Sequence, residues 1–347
     1  MFSIFKKGGA AKVSILHHDI HYEVQSGKTL LESALAAGVA FPHNCKVGTC
    51  GTCKYKLING KVKEIRPSAV VLNAEELRDG YRLGCQALPR SDIEIELDHL
   101  GETALFELGI FSAEITSMPL ISHDIISLSL KLDRPMEYIA GQYIELQQSD
   151  ISGRRSYSIS TAPKGNPSKN LNFHVRHVPG GAFTEWLFRE DRVGQHLTAE
   201  GPLGFFYLRE SDAPVVCIAG GSGLAPILAL LEQMVYEKID RSVTLLYGGR
   251  QKRDIYAQNE IETVSLNLPG KLTFIPVLSE EPVNSDWDGE RGFVTEALKK
   301  IENLGDYHAY LCGPPPMIDA AEDYLISTGV STDNIHADRF FDRSNPS

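Results

Sequence analysis

The chain has 347 residues, of which 42% are hydrophobic and 23% charged, and its formal net charge is −11. That length allows two or three domains, each with its own core, and the acidic balance argues against nucleic acid as a partner. No stretch approaches the roughly 20 consecutive apolar residues of a membrane span, and the first residues carry Lys6 and Lys7 without the long apolar run of a secretory signal.

The charge is uneven: residues 1–98 hold 13 Lys+Arg against 11 Asp+Glu, whereas the remainder holds 21 against 34. In this cationic front part, 12–16 and 20–24 read as a hairpin through His18-Asp19. His17, His18 and His21 do not read as a metal site, because adjacent strand residues face opposite ways. A helix follows, with Thr29 as N-cap, Glu32 completing a capping box and Gly38 just past its end. After the next loop come a strand at 55–58, the turn signal Asn59-Gly60, a short helix at 74–77 and an alternating strand at 92–97.

The loop before residue 55 carries the most specific signal of the chain. Cys45, Cys50, Cys53 and the distant Cys85 have the spacing C-x4-C-x2-C…C of a plant-type [2Fe-2S] cluster. Small residues between the thiols let backbone N–H groups fold towards cluster sulfurs, and glycine tolerates the backbone this needs. Structural zinc usually shows two close Cys pairs, and a redox C-x-x-C needs a βαβ context that is missing here. Around the loop lie His43, Lys46, Lys54 and Lys56, with no carboxylate between Glu32 and Glu64. They form a candidate docking rim for an acidic partner, since complementary charge steers encounter.

A linker is expected around 99–106. Beyond it, 109–208 is rich in short alternating strands, among them 125–130, 143–146 and 171–175, which predicts an antiparallel barrel. Arg155-Ser156-Tyr157-Ser158-Ile159-Ser160 presents a cation, an aromatic and hydroxyls on one strand. Such a strand can hold a phosphate, stack a planar ring and bond its polar edge, as a flavin requires. His174 and Arg176, on the strand at 171–175 and just past it, join the cofactor-binding candidates. Gly180, Gly181 and Thr184 open an apparent helix, where N–H groups suit a pyrophosphate.

From 213 onward, buried-type strands at 215–219, 243–247, 272–277 and 308–311 alternate with helical segments at 224–237, 295–301 and 317–327. That pattern predicts a doubly wound parallel α/β domain. Gly220, Gly221, Ser222 and Gly223 follow one strand and precede a helix with Pro226 in its first turn, a second pyrophosphate-type turn. It departs from the G-x-G-x-x-G fingerprint, and the next strand runs into Gly248-Gly249-Arg250 rather than an acid. Cys312, Gly313 and Pro314 sit at another strand's carboxyl end, where open α/β sheets bind ligands. This puts Cys312 near a nicotinamide, whereas Cys217, inside a strand, reads as core.

With these motifs in this order, the chain resembles the ferredoxin–NAD(P)H reductase components of bacterial multicomponent oxygenases over essentially its whole length, and is similar to toluene and phenol hydroxylase reductases. The resemblance implies three domains: a β-grasp plant-type ferredoxin (α+β) at 1–100, an FAD-binding antiparallel β-barrel at 107–209 and an NAD-binding α/β domain at 210–347. It assigns Arg155 to the flavin phosphate, Tyr157 to the ring face and Ser158 to the ring's polar edge. Gly180, Gly181 and Thr184 favour FAD over FMN. Phe340, in Asp338-Arg339-Phe340-Phe341, is the expected terminal aromatic at the flavin, although six residues follow Phe341. Cys312 and Ser158 are the residues expected closest to hydride transfer.

The expected path is NADH to FAD to [2Fe-2S] to an external acceptor. A hydride carries two electrons and a cluster takes one, so a flavin must stand between them, and a plant-type cluster near about −400 mV needs a downhill acceptor. NADH is favoured over NADPH by family analogy, although Arg250 and Arg253 could meet a 2′-phosphate. The expected acceptor is a diiron monooxygenase hydroxylase. A Rieske oxygenase and a deoxysugar dehydratase are the alternatives, with a non-catalytic redox-sensing module more distant. A monomer in the cytoplasm, whose reducing conditions suit iron-ligating thiols, completes the expectation.

Overall fold

The computed structural model describes residues 10–43, 46, 48, 51–97, 100, 106–165 and 167–340. The chain divides into two compact units, Met1–Leu105 and Phe106–Ser347.

In the first unit a five-stranded mixed sheet runs in the order Ile20–Val24, Ala11–Ile15, Ile93–Glu96, Lys54–Asn59, Tyr81–Leu83. Ala11–Ile15 pairs antiparallel with its hairpin partner and parallel with Ile93–Glu96, the β-grasp arrangement. The helix Leu30–Ala36 buries Leu30, Leu31 and Ala34 in one cluster with Val13, Ile15, Tyr55 and Ile95. Its start is the expected capping box: Thr29 Oγ1 accepts from Glu32 N–H at 3.1 Å, and Glu32 Oε2 accepts from Thr29 N–H at 2.8 Å.

Asn59-Gly60 does turn the chain, with Gly60 at φ +98°, but it builds no hairpin. Both edges of Lys54–Asn59 are already taken by Ile93–Glu96 and Tyr81–Leu83. The next strand, Val62–Glu64, therefore pairs with Ala87–Pro89 in a separate two-stranded sheet. The expected linker lies mostly outside the described residues.

In the second unit six antiparallel strands follow the order Arg155–Ser158, Tyr143–Gln147, His196–Leu203, Gly109–Ser117, Ile125–Met136, Ser168–Arg176. A bridge between Ile159 and Phe173, with Ser160 N–H donating to Asn172 O at 2.8 Å, brings the two ends of this order together. The barrel encloses Leu128, Leu130, Ile144, Leu146, Ile159 and Phe173, all 1% exposed or less.

A wholly parallel sheet follows in the order Glu290–Arg291, Leu272–Leu278, Val243–Gly249, Val215–Gly220, His308–Gly313, Ile335–Arg339. The chain winds outward from Val215–Gly220 in both directions, so that strand is a topological switch point. The helix Gln258–Asn267 and the two edge strands were not expected from sequence. That helix buries only Ile261 and Val264, too little apolar periodicity to read. Among the described residues, no helix is long and apolar enough to cross a membrane.

Thr29→Ala removes the acceptor that caps the ferredoxin-type helix. It should destabilise the first unit by about 1 kcal/mol, seen as a lower denaturation midpoint with unchanged slope; an unchanged midpoint would deny the cap any energetic role.

Candidate functional site

Two of the four candidate ligands, Cys45 and Cys50, lie outside the described residues. The other two stand together. Cys53 leads into the strand Lys54–Asn59, Cys85 occupies the turn between Tyr81–Leu83 and Ala87–Pro89, and they are 2% and 4% exposed. The backbone N–H of Cys85 donates to Cys53 Sγ at 3.4 Å, and Gln86 Nε2 donates to Cys85 Sγ at 3.4 Å. N–H groups aimed at sulfur stabilise thiolate charge, and hydrogen bonds of this kind tune an iron–sulfur cluster. Gly48 and Gly51 both take positive φ, and a Cβ on Gly48 would lie 2.6 Å from the Gln86 side chain. The donor set fits an iron–sulfur cluster. Two of the three early histidines take separate partners: His21 Nδ1 meets Ser14 Oγ at 3.0 Å, and His17 Nε2 meets Glu96 at 3.3 Å.

Folding alters the candidate docking rim. Lys54 Nζ pairs with Glu76 at 2.9 Å and lies 5.0 Å from the Tyr81 ring centroid, with Lys56 Nζ 5.9 Å from the same ring. The bond from Lys54 and a backbone bond lower the Glu76 pKa. The carboxylate missing from the sequence between Glu32 and Glu64 is thus supplied from a distant helix. His43 Nδ1 meets Phe41 O at 2.8 Å, and Lys46 takes φ +56°.

On the barrel, Tyr157 packs beside Phe183 with ring centroids 5.5 Å apart, and burial pushes its phenol pKa up. Arg155 Nη1 donates to Arg154 O at 3.0 Å. Ser158 Oγ donates to Asp338 Oδ2 at 3.4 Å, and both residues are 8% exposed. Ser160 is 4% exposed. The Gly180-Gly181 turn leads into the helix Ala182–Arg189, whose start lacks a side-chain cap. A Cβ on Gly181 would lie 2.9 Å from Thr184 Oγ1 and 3.0 Å from Val178 O, a cradle that glycine leaves open. Thr184 Oγ1 accepts from Val178 N–H at 3.1 Å and reaches Val178 O and Gly181 O at 3.1 Å, so its hydroxyl shapes the loop. Gly180 N–H donates to Glu185 Oε1 at 3.1 Å.

In the α/β part, Gly221–Gly223 forms a 3-10 turn between the strand Val215–Gly220 and the helix Leu224–Tyr236. A Cβ on Gly223 would fall 2.2 Å from Cys312 O, and one on Gly220 2.8 Å from Met317 Sδ. Cys312 is wholly buried, and desolvation raises its thiol pKa well above the ordinary value, with Asp338 adding to the rise. Phe340 N–H donates to Gly313 O at 2.8 Å, which sets the terminal aromatic beside the Cys312-Gly313-Pro314 turn. Ser222 is half-buried and Arg250 exposed. Arg250 approaches Asp254 through its side chain at 3.7 Å and donates its backbone N–H to the same carboxylate at 2.8 Å.

Contacts between the barrel and the α/β part bring further residues to the site. Arg176 Nε donates to Asp124 Oδ2 at 2.7 Å, and its Nη1 lies 3.1 Å from where a Cβ on Gly221 would stand. His174 Nδ1 meets Tyr256 Oη at 3.2 Å, and burial lowers the His174 pKa to about 4. Asp124, Asp254 and Tyr256 carry no motif in the sequence, and only the fold reveals their position. Asp338 sat in the terminal motif, but its pairing with Ser158, 180 residues away, had no sequence signal.

Three consecutive family matches span the chain: the 2Fe-2S iron-sulfur cluster binding domain at 14–90, the oxidoreductase FAD-binding domain at 112–207 and the oxidoreductase NAD-binding domain at 217–323. Fold and site together define an NAD(P)H-dependent oxidoreductase that carries FAD and a [2Fe-2S] cluster. The chain is 47% identical over 331 residues to the xylene/toluene monooxygenase electron transfer component XylA of Pseudomonas putida, covering 95% of this chain and 94% of that protein. It is 35% identical to the phenol 2-monooxygenase reductase component DmpP of Pseudomonas sp. strain CF600, over 92% of this chain and 91% of that one. The crystal structure of the Amycolatopsis cytochrome P450 reductase GcoB superposes with a TM-score of 0.80 at 34% identity, covering 95% of this chain and 98% of that one. The chain belongs to the ferredoxin–NAD(P)H reductase components of oxygenase systems.

Cys85→Ser should abolish the visible and paramagnetic signals of the cluster while NADH still reduces FAD at close to the wild-type rate, because Cys85 and the flavin motifs belong to different units. Parallel loss of both activities would contradict that division.

Proposed function

We propose that the chain oxidises NADH and delivers electrons singly to the hydroxylase of a diiron monooxygenase. The reading rests on one observation above all: the Ser158–Asp338 contact joins the flavin-type strand of the barrel to the strand beside Cys312 and the glycine turn. When bound, FAD takes up the hydride as a pair of electrons and the [2Fe-2S] cluster carries them one at a time.

The protein's part is binding, orientation and exclusion of water. Arg155 provides charge for the flavin phosphate, Tyr157 a face for the ring, and Ser158 and Ser160 hydrogen bonds at its polar edge, with Asp338 orienting Ser158. Gly180, Gly181 and Thr184 shape the loop that receives the flavin pyrophosphate. Gly220, Gly221, Ser222 and Gly223 would receive the pyrophosphate of NADH, with Arg250 as a further contact to the nucleotide. His174 and Arg176 line the junction from the barrel side, and Phe340 would lie near the flavin. Cys312, Gly313 and Pro314 would lie near the nicotinamide. The buried Cys312 thiol stays protonated, so it acts by shape and polarisability rather than as a nucleophile.

NADH is favoured over NADPH by family analogy, and two of the basic groups after Val243–Gly249, Arg250 and Lys252, already have acidic partners. Arg250 lies by Asp254, and Lys252 Nζ pairs with Asp286 at 2.7 Å while its N–H donates to Glu281 at 2.8 Å. A 2′-phosphate would have to compete with those carboxylates. A monooxygenase acceptor is favoured by the likeness to the xylene/toluene and phenol monooxygenase components. We assign the domains to 1–100, 107–209 and 210–347, in a cytoplasmic monomer whose rim of His43, Lys46, Lys54 and Lys56 receives the acceptor. Within that rim, Lys54 is partly compensated by Glu76, which shifts the weight of the attraction to Lys46 and Lys56.

An anaerobic NADH titration of iron-reconstituted protein should bleach the flavin and generate a reduced [2Fe-2S] resonance. Flavin bleaching without the resonance would exclude electron passage between the two centres. Lys46→Glu should slow reduction of the hydroxylase, with a weakened salt dependence, while leaving small-dye reduction unchanged. A hydroxylase rate that is unchanged and independent of salt would remove Lys46 from the docking surface.

A further inference from the structure

Tyr256 is 3% exposed and lies between the 3-10 turn Lys252–Asp254 and the helix Gln258–Asn267. Its hydroxyl stands 3.2 Å from His174 Nδ1 on the barrel strand Ser168–Arg176 and 3.4 Å from Gly221 O in the glycine turn. The ring meets His174 edge-on, with centroids 5.3 Å apart at 77°, and Tyr247 at 5.9 Å and 84°. The Tyr247 hydroxyl reaches the same Gly221 carbonyl at 3.3 Å and also Asp254 O at 3.2 Å. One buried phenol thus spans the two parts of the unit that hold the flavin and the nucleotide.

Counting protons gives this bridge a direction. A phenol has one proton to donate, and the carbonyls of Gly221 and Asp254 only accept. A proton given by Tyr256 to Gly221 O leaves its oxygen free to accept from His174 Nδ1–H. The half-buried imidazole, its pKa lowered by desolvation, is neutral at ordinary pH, so it carries one proton, and this arrangement puts that proton on Nδ1 and leaves Nε2 an acceptor. The reverse polarity would leave the single Tyr247 proton to be divided between two carbonyls. With Tyr256 donating to Gly221 O, the Tyr247 proton is free for Asp254 O, and each carbonyl has its own donor.

We infer that Tyr256 is a positioning residue for hydride transfer: its hydroxyl locks the Gly221 carbonyl to His174, fixing the glycine turn against the flavin barrel and His174 in its Nδ1–H form. The inference rests on the proposed assignment of the barrel to flavin and of the glycine turn to NADH. That assignment fails separately, by an absence of flavin reduction in the wild-type protein.

The test compares holoenzyme Tyr256→Phe with Tyr247→Phe in anaerobic stopped-flow reduction by NADH. Loss of a buried hydrogen bond costs about 1–1.5 kcal/mol, or roughly tenfold in rate when it is felt in the transition state. Tyr256→Phe should slow hydride transfer by about that factor, with little change in the dissociation constant for NADH, with FAD content retained and with the protein still folded at the assay temperature. Tyr247→Phe should cost less, because Tyr256 still holds Gly221. Nitrogen-15 NMR of His174 should report Nδ1–H in the wild type and a mixture of tautomers in Tyr256→Phe. An unchanged rate in Tyr256→Phe overturns the inference. Equal losses in the two variants overturn the bridge and leave only support of the Gly221 carbonyl. Should Tyr256→Phe lose FAD, the wild-type tautomer still decides, since an Nε2–H imidazole is incompatible with the bridge.

Discussion

The second unit depends on a backbone-to-backbone approach at the carboxyl ends of Val215–Gly220 and His308–Gly313. Gly223 lies so close to the Cys312 carbonyl that a single added carbon would fall 2.2 Å from it, and a Cβ on Gly313 would sit 3.0 Å from Gly220 N. Gly313 also takes φ +148°, a region closed to side chains. These contacts press two turns from adjacent strands into one floor at the switch point, where the crevice of a doubly wound sheet opens. The Cys312 side chain beneath that floor is sealed from water, which fixes its chemistry as that of a neutral thiol.

The barrel shares an apolar cluster with the α/β part, in which Ile125, Ala140, Ala162 and Phe206 pack with Leu224 and Ile227, and directional polar contacts are added to it. Ser158 reaches Asp338, Ala162 N–H donates to Glu232 Oε2 at 3.1 Å, Arg176 stands by Gly221, and His174 meets Tyr256. Apolar burial alone would tolerate sliding, because it is roughly proportional to area and indifferent to orientation. Hydrogen bonds fix distance and angle, as hydride transfer between two separately bound rings demands: small misplacements of reacting atoms cost large factors in rate.

Local signals made much of this legible in the sequence. The Thr29–Glu32 capping box, the alternating barrel strands and the glycine turn after Val215–Gly220 each follow from a few adjacent residues whose chemistry forces one conformation. Partners across long separations were not legible. Glu76 meets Lys54, Asp338 meets Ser158 and Tyr256 meets His174 only because strand order brings them together. Asn59-Gly60 shows the same limit from another side. The dipeptide specifies a turn, but sheet edges already in use decide where the chain goes next. The helix Gln258–Asn267 stayed hidden because its face is mostly solvated, leaving almost no hydrophobic period to read.

Two different electrostatic problems are solved in the two units. Around Cys53 and Cys85, N–H donors meet sulfur, so negative charge on thiolates is favoured. Around Cys312, Tyr157 and Tyr256, burial raises the pKa of the thiol and of both phenols and lowers that of His174, so these four groups are held neutral. A site of stabilised thiolates suits a centre that must hold iron and change charge by one electron at a time. Fusing the two in one chain keeps both environments intact, because neither set of donors is asked to serve the other's chemistry.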